Sequence, residues 1–351
     1  MNPLGKSIKP SFNFQSIPMV LRFLRTAGKE SVTIEEVPKT KLLKVAIIGM
    51  PNAGKSTLIN SLMDRKVCPV SSKVHTTKRK SIAIFTQDDT QVVFLDTPGV
   101  VSLKEWKKFD LNRSFVRDGI NSMYQANLIG VVHDVSNPWT RDRLDIKLLH
   151  MLEELKKKPS FLVLNKIDMV KQKRKLLELT HKLTENRLEG KLSEDNLEAE
   201  EDEVDVIKGW PFFKEIFMLS SLEGNGIDDL KKYLIKQAKP AQWLYPADKF
   251  TNEKYEDIIV STVRAKLLDF LPQEVPYLLQ PMMEFFEVNE NGKITCVVLV
   301  KCPSNRVAKL VAGGSDGRLN RITAACQDEL QNTFRNFVKL QIVLKGKEKK
   351  E

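Results

Sequence analysis

Cysteine is scarce in this 351-residue chain: Cys68, Cys296, Cys302 and Cys326 stand far apart, and no C-x-x-C pair exists. That excludes a disulfide framework and a thiolate zinc site, and it points to a reducing compartment. Aromatic residues make up only 7% of the chain. No uninterrupted apolar run is long enough to span a bilayer. Acidic residues are missing from the first 29 positions, which carry Lys6, Lys9, Arg22, Arg25 and Lys29. A basic, acid-free, mildly amphipathic start is the composition of a mitochondrial transit peptide, so residues 1–40 are expected to be a leader with no fold of their own.

What is present suits a folded, two-domain protein. Hydrophobic residues reach 42% and charged residues 29%, with a net charge of +11. The basic surplus favours an anionic partner such as nucleic acid. Short apolar runs recur at Lys44–Ile48, Ser81–Phe85, Gln91–Leu95, Leu128–Val132, Phe161–Leu164 and Ile216–Leu219. Helical patterns lie between them at Ser56–Met63 and Leu144–Leu155, and Ile227–Gln237 closes the series. This alternation predicts an α/β domain over residues 41–240, with a mostly parallel sheet and helices on both faces. From Glu185 to Asp205 ten acidic residues face only Arg187 and Lys191, which predicts a solvated, mobile insertion, bounded at 185–209. Lys239-Pro240 ends the closing helix, and residues 241–252 read as a linker. A second, smaller α+β domain is expected over 253–351. It reads as a helix Tyr255–Phe270, strands at Tyr277–Glu287, Ile294–Lys301 and Val338–Leu344, a short helix before Gly313 and a helix Arg318–Phe334.

The chemistry concentrates in three places. Gly49-Met50-Pro51-Asn52-Ala53-Gly54-Lys55-Ser56 fits G-x-x-x-x-G-K-[ST] between a predicted strand and a predicted helix. Glycines let backbone N–H groups turn toward phosphate oxygens, and the helix N-terminus adds a favourable dipole. Lys55 brings a point charge to the outer phosphates, the Ser56 hydroxyl can ligate Mg²⁺, and Thr57 completes the lining. Asp96-Thr97-Pro98-Gly99 ends the next strong strand. Asp96 can hold Mg²⁺ through water, and the Gly99 N–H can meet a γ-phosphate. Between them, either Thr76 or Thr77 can reach the metal when the γ-phosphate is present. The third place is Asn165-Lys166-Ile167-Asp168. One carboxylate at Asp168 accepts both the N1–H and the exocyclic amine of guanine, whereas adenine would leave it facing a lone pair. Asn165 can tie this loop to the phosphate loop, Lys166 can lay its stem over the base, and Ser220-Ser221-Leu222 can offer a backbone N–H to the guanine oxygen. The substrate expected is GTP, released as GDP. Val100, after Gly99, cannot orient water as a glutamine would, so slow hydrolysis is expected. Asn52 is an oxygen donor in the phosphate loop that could hold K⁺ in place of an arginine. The residues expected to act on the reaction are Asn52, Lys55, Thr76, Thr77 and Gly99.

The runs G-M-P-N-A-G-K-S-T-L-I-N, H-T-T-K-R, D-T-P-G-V, N-K-I-D and S-S-L-E-G-N-G-I-D-D-L resemble the Era family of ribosome-assembly GTPases. W-L-Y-P, the helix through Val263-Arg264-Ala265-Lys266-Leu267, and L-P-Q-E-V-P-Y continue the likeness, from Lys41 to Lys347. The basic leader and acidic insertion are most similar to the mitochondrial Era of animals. The resemblance implies a C-terminal KH domain of the second type that grips the 3′ region of small-subunit ribosomal RNA. It implies a role in assembling the mitochondrial small subunit, in the matrix, as a monomer with peripheral contact to the inner membrane. KH domains clamp single-stranded RNA with a G-x-x-G loop between two helices. Gly314-Ser315-Asp316-Gly317 is that loop here, flanked by Arg306, Lys309, Arg318 and Arg321. Residues 301–351 hold eleven basic and five acidic residues. Four departures stand out: Ser315 and Asp316 occupy loop positions where a basic residue is usual, the following helix is one residue short, His75 replaces glutamine, and Ser221 replaces alanine. Asp316 would repel phosphate, while Ser221 should be harmless if a backbone group makes the contact. Rival readings are a metabolic kinase or ATPase, a GTPase of tRNA modification or of the large subunit, and a phosphate-loop switch with little hydrolysis.

Overall fold

Runs of β-branched and apolar residues without alternation build strands that are buried on both sides. The computed structural model describes residues 39–68, 81–96, 124–192, 209–272, 274–314 and 317–346, all within one compact unit. Its first part is built from β1 (Lys41–Gly49), β2 (Ser81–Gln87), β3 (Thr90–Asp96), β4 (Leu128–Asp134), β5 (Ser160–Asn165) and β8 (Phe213–Leu219). They lie in the order β2-β3-β1-β4-β5-β8. All neighbours are parallel except β2, which is antiparallel to β3.

Two apolar layers cover this sheet. Helix α1 (Lys55–Met63) and helix α4 (Ile227–Gln237) pack Leu58, Ile59, Leu62, Leu230 and Leu234 against one face. Helices α2 (Ile146–Glu154) and α3 (Arg174–Thr184) pack Leu148, Leu152, Leu176, Leu179 and Leu183 against the other. Each fully buried leucine contributes roughly 1.5–3 kcal/mol. The parallel strands carry Gly49, Asp96, Asn165 and Leu219 to one edge, where ligands of open α/β sheets bind.

Two expectations need amendment. The segment read as a mobile insertion begins with a short hairpin, β6 (Arg187–Leu188) against β7 (Lys191–Leu192), turning through Glu189 and Gly190 at positive φ. The acidic stretch 193–208 lies outside the described residues. The segment read as a linker is strapped to the sheet. Lys239–Pro240 forms β9, antiparallel to the start of β1. The Gln91 side chain accepts from the N–H groups of Leu244 and Tyr245 and donates to the Tyr245 carbonyl. The Trp243 indole donates to the Asp89 carbonyl, and Ile84 N–H to Phe250. Gln91 is fully buried, so its amide must find partners, and the strap supplies them.

The second part pairs β10 (Gln280–Val288) antiparallel to β11 (Ile294–Cys302), and β11 parallel to β12 (Val338–Gly346). Alternate β11 residues are buried under helices α5 (Tyr255–Phe270), α6 (Asn305–Ala312) and α7 (Arg318–Phe334). All four cysteines are buried, and none of them is in a disulfide. No described helix is long and apolar enough to cross a membrane.

Candidate nucleotide site and RNA loop

β1 delivers the phosphate loop and α1 carries it away. Gly54 caps α1 at φ 94°, and a Cβ there would sit 2.2 Å from the Asn165 amide nitrogen. Any side chain would therefore both strain the backbone and push the Asn165 loop off the Gly49–Ser56 loop. Asn52 also takes a left-handed conformation, at φ 61°, and is exposed. Lys55 is buried, and its ammonium donates to the Gly49 and Met50 carbonyls at 3.1 and 3.0 Å, which fixes a positive charge inside the loop.

Asn165 is the knot of the site. Its Nδ2 donates to the Ala53 carbonyl at 2.8 Å. Its Oδ1 accepts from the Ser221 N–H at 3.0 Å and the Ser221 hydroxyl at 2.9 Å. One buried amide thus joins the phosphate loop, the end of β5 and the loop after β8. Ser61, on α1, donates its hydroxyl to the Ser221 carbonyl at 2.5 Å and adds a second tie. Lys166 adopts φ 67°, and its Nζ meets Asp134 Oδ2 at 2.6 Å. Asp134 in turn accepts from Ser136 N–H and Oγ. Asp168 follows in a short 3-10 turn with its side chain exposed, facing no competing cation among the described ion pairs. Ser220 is buried and holds the turn that presents Ser221 and an 83%-exposed Leu222.

At the far end of the chain, α6 is capped by Ser304, whose Oγ accepts from Val307 N–H, and stops at Gly313 in left-handed geometry. Gly314 and Gly317 have φ 45° and 58°, and a Cβ at either would meet nothing within 4 Å. Their role is conformational: they turn the chain between α6 and α7 and leave open space beside the backbone. Arg306 and Lys309 are exposed on α6. Arg318 opens α7 and donates back to the Leu310 carbonyl at 3.1 Å, while Arg321 is exposed one turn on.

Residues 44–166 match the family model described as a 50S ribosome-binding GTPase. A mitochondrial GTPase Era of Danio rerio is 37% identical over 342 residues, covering 89% of this chain and 76% of the relative. The chain belongs to the Era family of GTPases. The Salmo salar mitochondrial GTPase Era is 35% identical, covering 89% of this chain and 78% of its own length. A crystal structure of Era in complex with MgGDPNP and nucleotides 1506–1542 of 16S ribosomal RNA superposes with a TM-score of 0.68 at 24% identity. That superposition covers 87% of this chain and 93% of the other, and at this identity it speaks for the fold. Like the rest of the family, the chain hydrolyses GTP.

In this Era-family chain the structure brings together Gly49, Pro51, Asn52, Ala53, Gly54, Lys55, Ser56, Thr57, Asn165, Lys166, Asp168, Ser220, Ser221 and Leu222 around one sheet edge. The Asp96 backbone ends β3 beside Ile47. Thr76, Thr77, Thr97, Pro98, Gly99, Ser315 and Asp316 lie outside the described residues. Sequence reasoning missed Ser61 and Asp134. A signal existed for Asp134, since it ends a buried strand as Asn165 does. Lys166, expected over the base, is anchored by this carboxylate. The substitution at Ser221 is more than harmless, because its hydroxyl adds a bond to Asn165.

Proposed function

We propose that this chain is a GTP-timed RNA chaperone that binds small-subunit ribosomal RNA near its 3′ end and promotes assembly of the mitochondrial small ribosomal subunit. It would act as a monomer in the mitochondrial matrix, after loss of the leader at 1–40. The observation that carries the reading is the pairing, in one chain, of a guanine-type nucleotide site with a G-x-x-G sequence whose two glycines, Gly314 and Gly317, are left-handed. The flanking Arg306, Lys309, Arg318 and Arg321 supply charge for phosphates. The α+β part that bears them reads as a KH domain of the second type spanning 253–351. A related Era's crystal structure in complex with a 16S fragment supports the same ligand class.

Within the nucleotide site, Ser56 and Asp96 would hold Mg²⁺, with Thr76 or Thr77 joining when the γ-phosphate is bound. The local chemistry fits: Ser56 sits in the first turn of α1, beside the cradle at Gly54 that any Cβ would fill. The ion neutralises phosphate charge when bound. Lys55 holds the outer phosphates, and Asp168 reads the base. With Val100 after Gly99, hydrolysis is slow without a cation or partner. Asn52, exposed in the loop, supplies an oxygen for K⁺; equal turnover in sodium and potassium buffers contradicts that role.

The test is the affinity of the full chain for an oligonucleotide from the 3′ end of small-subunit ribosomal RNA, measured with GDP and with GMPPNP. The reading predicts a difference between the two states of about 5-fold or more, the usual scale of coupling between two sites. Equal affinities contradict nucleotide timing. Preference for large-subunit RNA favours the rival reading, which the family model's description raises.

A further inference from the structure

Helix α7 has two ends with different business. Its N-cap is Gly317 of the G-x-x-G loop. Its last residues touch the connection that leaves α1 and leads into the segment holding Thr76 and Thr77. That connection, residues 64–68, is gripped from both sides. From the GTPase side, the buried Asn60 side chain accepts from the N–H groups of Val67 and Cys68 at 2.9 and 2.8 Å, and donates to the Cys68 carbonyl at 2.7 Å. From the C-terminal side, the Asn332 Oδ1 accepts from the Lys66 N–H at 2.9 Å. The buried Thr333 hydroxyl lies between the carbonyls of Lys66 and Glu329. Both backbone groups of Lys66 thus have partners on α7.

Packing secures this grip. The Arg65 guanidinium lies 4.4 Å over the Phe250 ring, Phe250 packs edge-on to Phe334, and Phe334 stacks against Tyr255 at 4.7 Å. Along its length α7 buries Ile322, Cys326 and Leu330 in the second core. Its 17 residues span about 25 Å. A helix packed along its whole length transmits displacement of one end to the other, the kind of contiguous network that carries coupling.

We propose that Asn332 and Thr333 are positioning residues that link the nucleotide site to the RNA-binding part of the chain. They hold residues 64–68, the connection that leads in sequence to Thr76 and Thr77, in a place set by α7, so that RNA at Gly314–Gly317 and GTP at the phosphate loop act on each other. The inference rests on the RNA-chaperone reading and adds the residues through which the two sites are linked. Coupling of this kind is reciprocal: what nucleotide does to RNA affinity, RNA does to nucleotide affinity.

The experiment repeats the RNA titrations with GDP and GMPPNP on variants of the full chain. Asn332 is exposed, so Asn332→Ala leaves no buried gap. It is expected to bring the two RNA affinities within about twofold of each other, against the 5-fold or greater ratio expected of the parent. Asn332→Asp, which keeps an acceptor oxygen for Lys66 N–H, is expected to retain the parent ratio, and so is Thr333→Ser. Thr333→Val should behave as Asn332→Ala. A merely structural role would shift melting without changing the ratio. A parent ratio preserved in both Asn332→Ala and Thr333→Val overturns the proposal and leaves the RNA-chaperone reading standing. A parent chain with no ratio at all overturns nucleotide timing itself, and this linkage with it.

Discussion

Asn165 shows how much one side chain can organise. It joins three loops through three hydrogen bonds, and removing it strands a buried carbonyl and a buried N–H. On the proposed reading, Asp168 carries the choice of base. Asp168→Asn replaces an acceptor by a group that presents a donor to guanine's own donors. GTP affinity should fall by roughly 100-fold or more in an equilibrium titration, while melting is little changed because the side chain is exposed. A variant that still prefers GTP over ATP as the parent does contradicts the assignment. His133 tests the core beneath. It is buried, and its Nε2–H reaches the Arg141 carbonyl; burial holds its pKa below the ordinary 6.5. The unfolded chain therefore takes up a proton on acidification that the folded chain refuses. Stability from this residue is present above pH 6.5 and is lost as pH falls through the lowered folded value. His133→Gln should flatten the fall in melting temperature between neutral and mildly acid buffer, measured by thermal denaturation. The loops Gly49–Ser56 and Asn165–Asp168, which the structure brings together, were legible in the sequence because their chemistry needs fixed residue types at fixed spacing. Ser61 was not, because it acts through Ser221, 160 residues away along the chain, and the strand end that marks Asp134 does not by itself reveal its partner Lys166.

Elements were legible to different depths. The helices Ile227–Gln237, Tyr255–Phe270 and Arg318–Phe334 stand where their periodicity put them. Helical patterns bounded by Gly226, Lys239-Pro240 and Gly317 announce their own ends. The strap over β2 and β3 stayed hidden because Trp243, Pro246 and polar neighbours carry no strand pattern; the buried Gln91 amide, the Asp89 carbonyl and the Ile84 N–H draw the backbone there. Between α5 and α7 lies a pair that no local pattern could reveal. Lys266 and Glu329 meet at 2.5 Å with side chains 17% and 7% exposed. Breaking such a pair leaves one buried charge without its partner. Lys266→Ala should cost about 3–5 kcal/mol in urea unfolding, whereas a double replacement by Met and Leu should cost far less. Similar losses in the single and double variants contradict that account.

Across the whole molecule, the linear order of the chain becomes a chain of contact. A nucleotide loop leads to α1, α1 to the connection at 64–68, that connection to the end of α7, and α7 to the G-x-x-G turn. A mostly parallel sheet carries the phosphate loop at one edge, and a second sheet covered by helices carries the loop proposed to take RNA. On the proposed function, the basic surplus of +11 suits a ligand made of phosphates. The central claim is that the ligand is the small ribosomal subunit's RNA, in mitochondria. Crosslinking the chain to RNA in cells, followed by sequencing of what it holds, tests this most directly. The account predicts reads concentrated at the 3′ end of mitochondrial small-subunit ribosomal RNA. Reads spread evenly over unrelated RNA, or concentrated on the large subunit, would contradict it while leaving the GTPase intact.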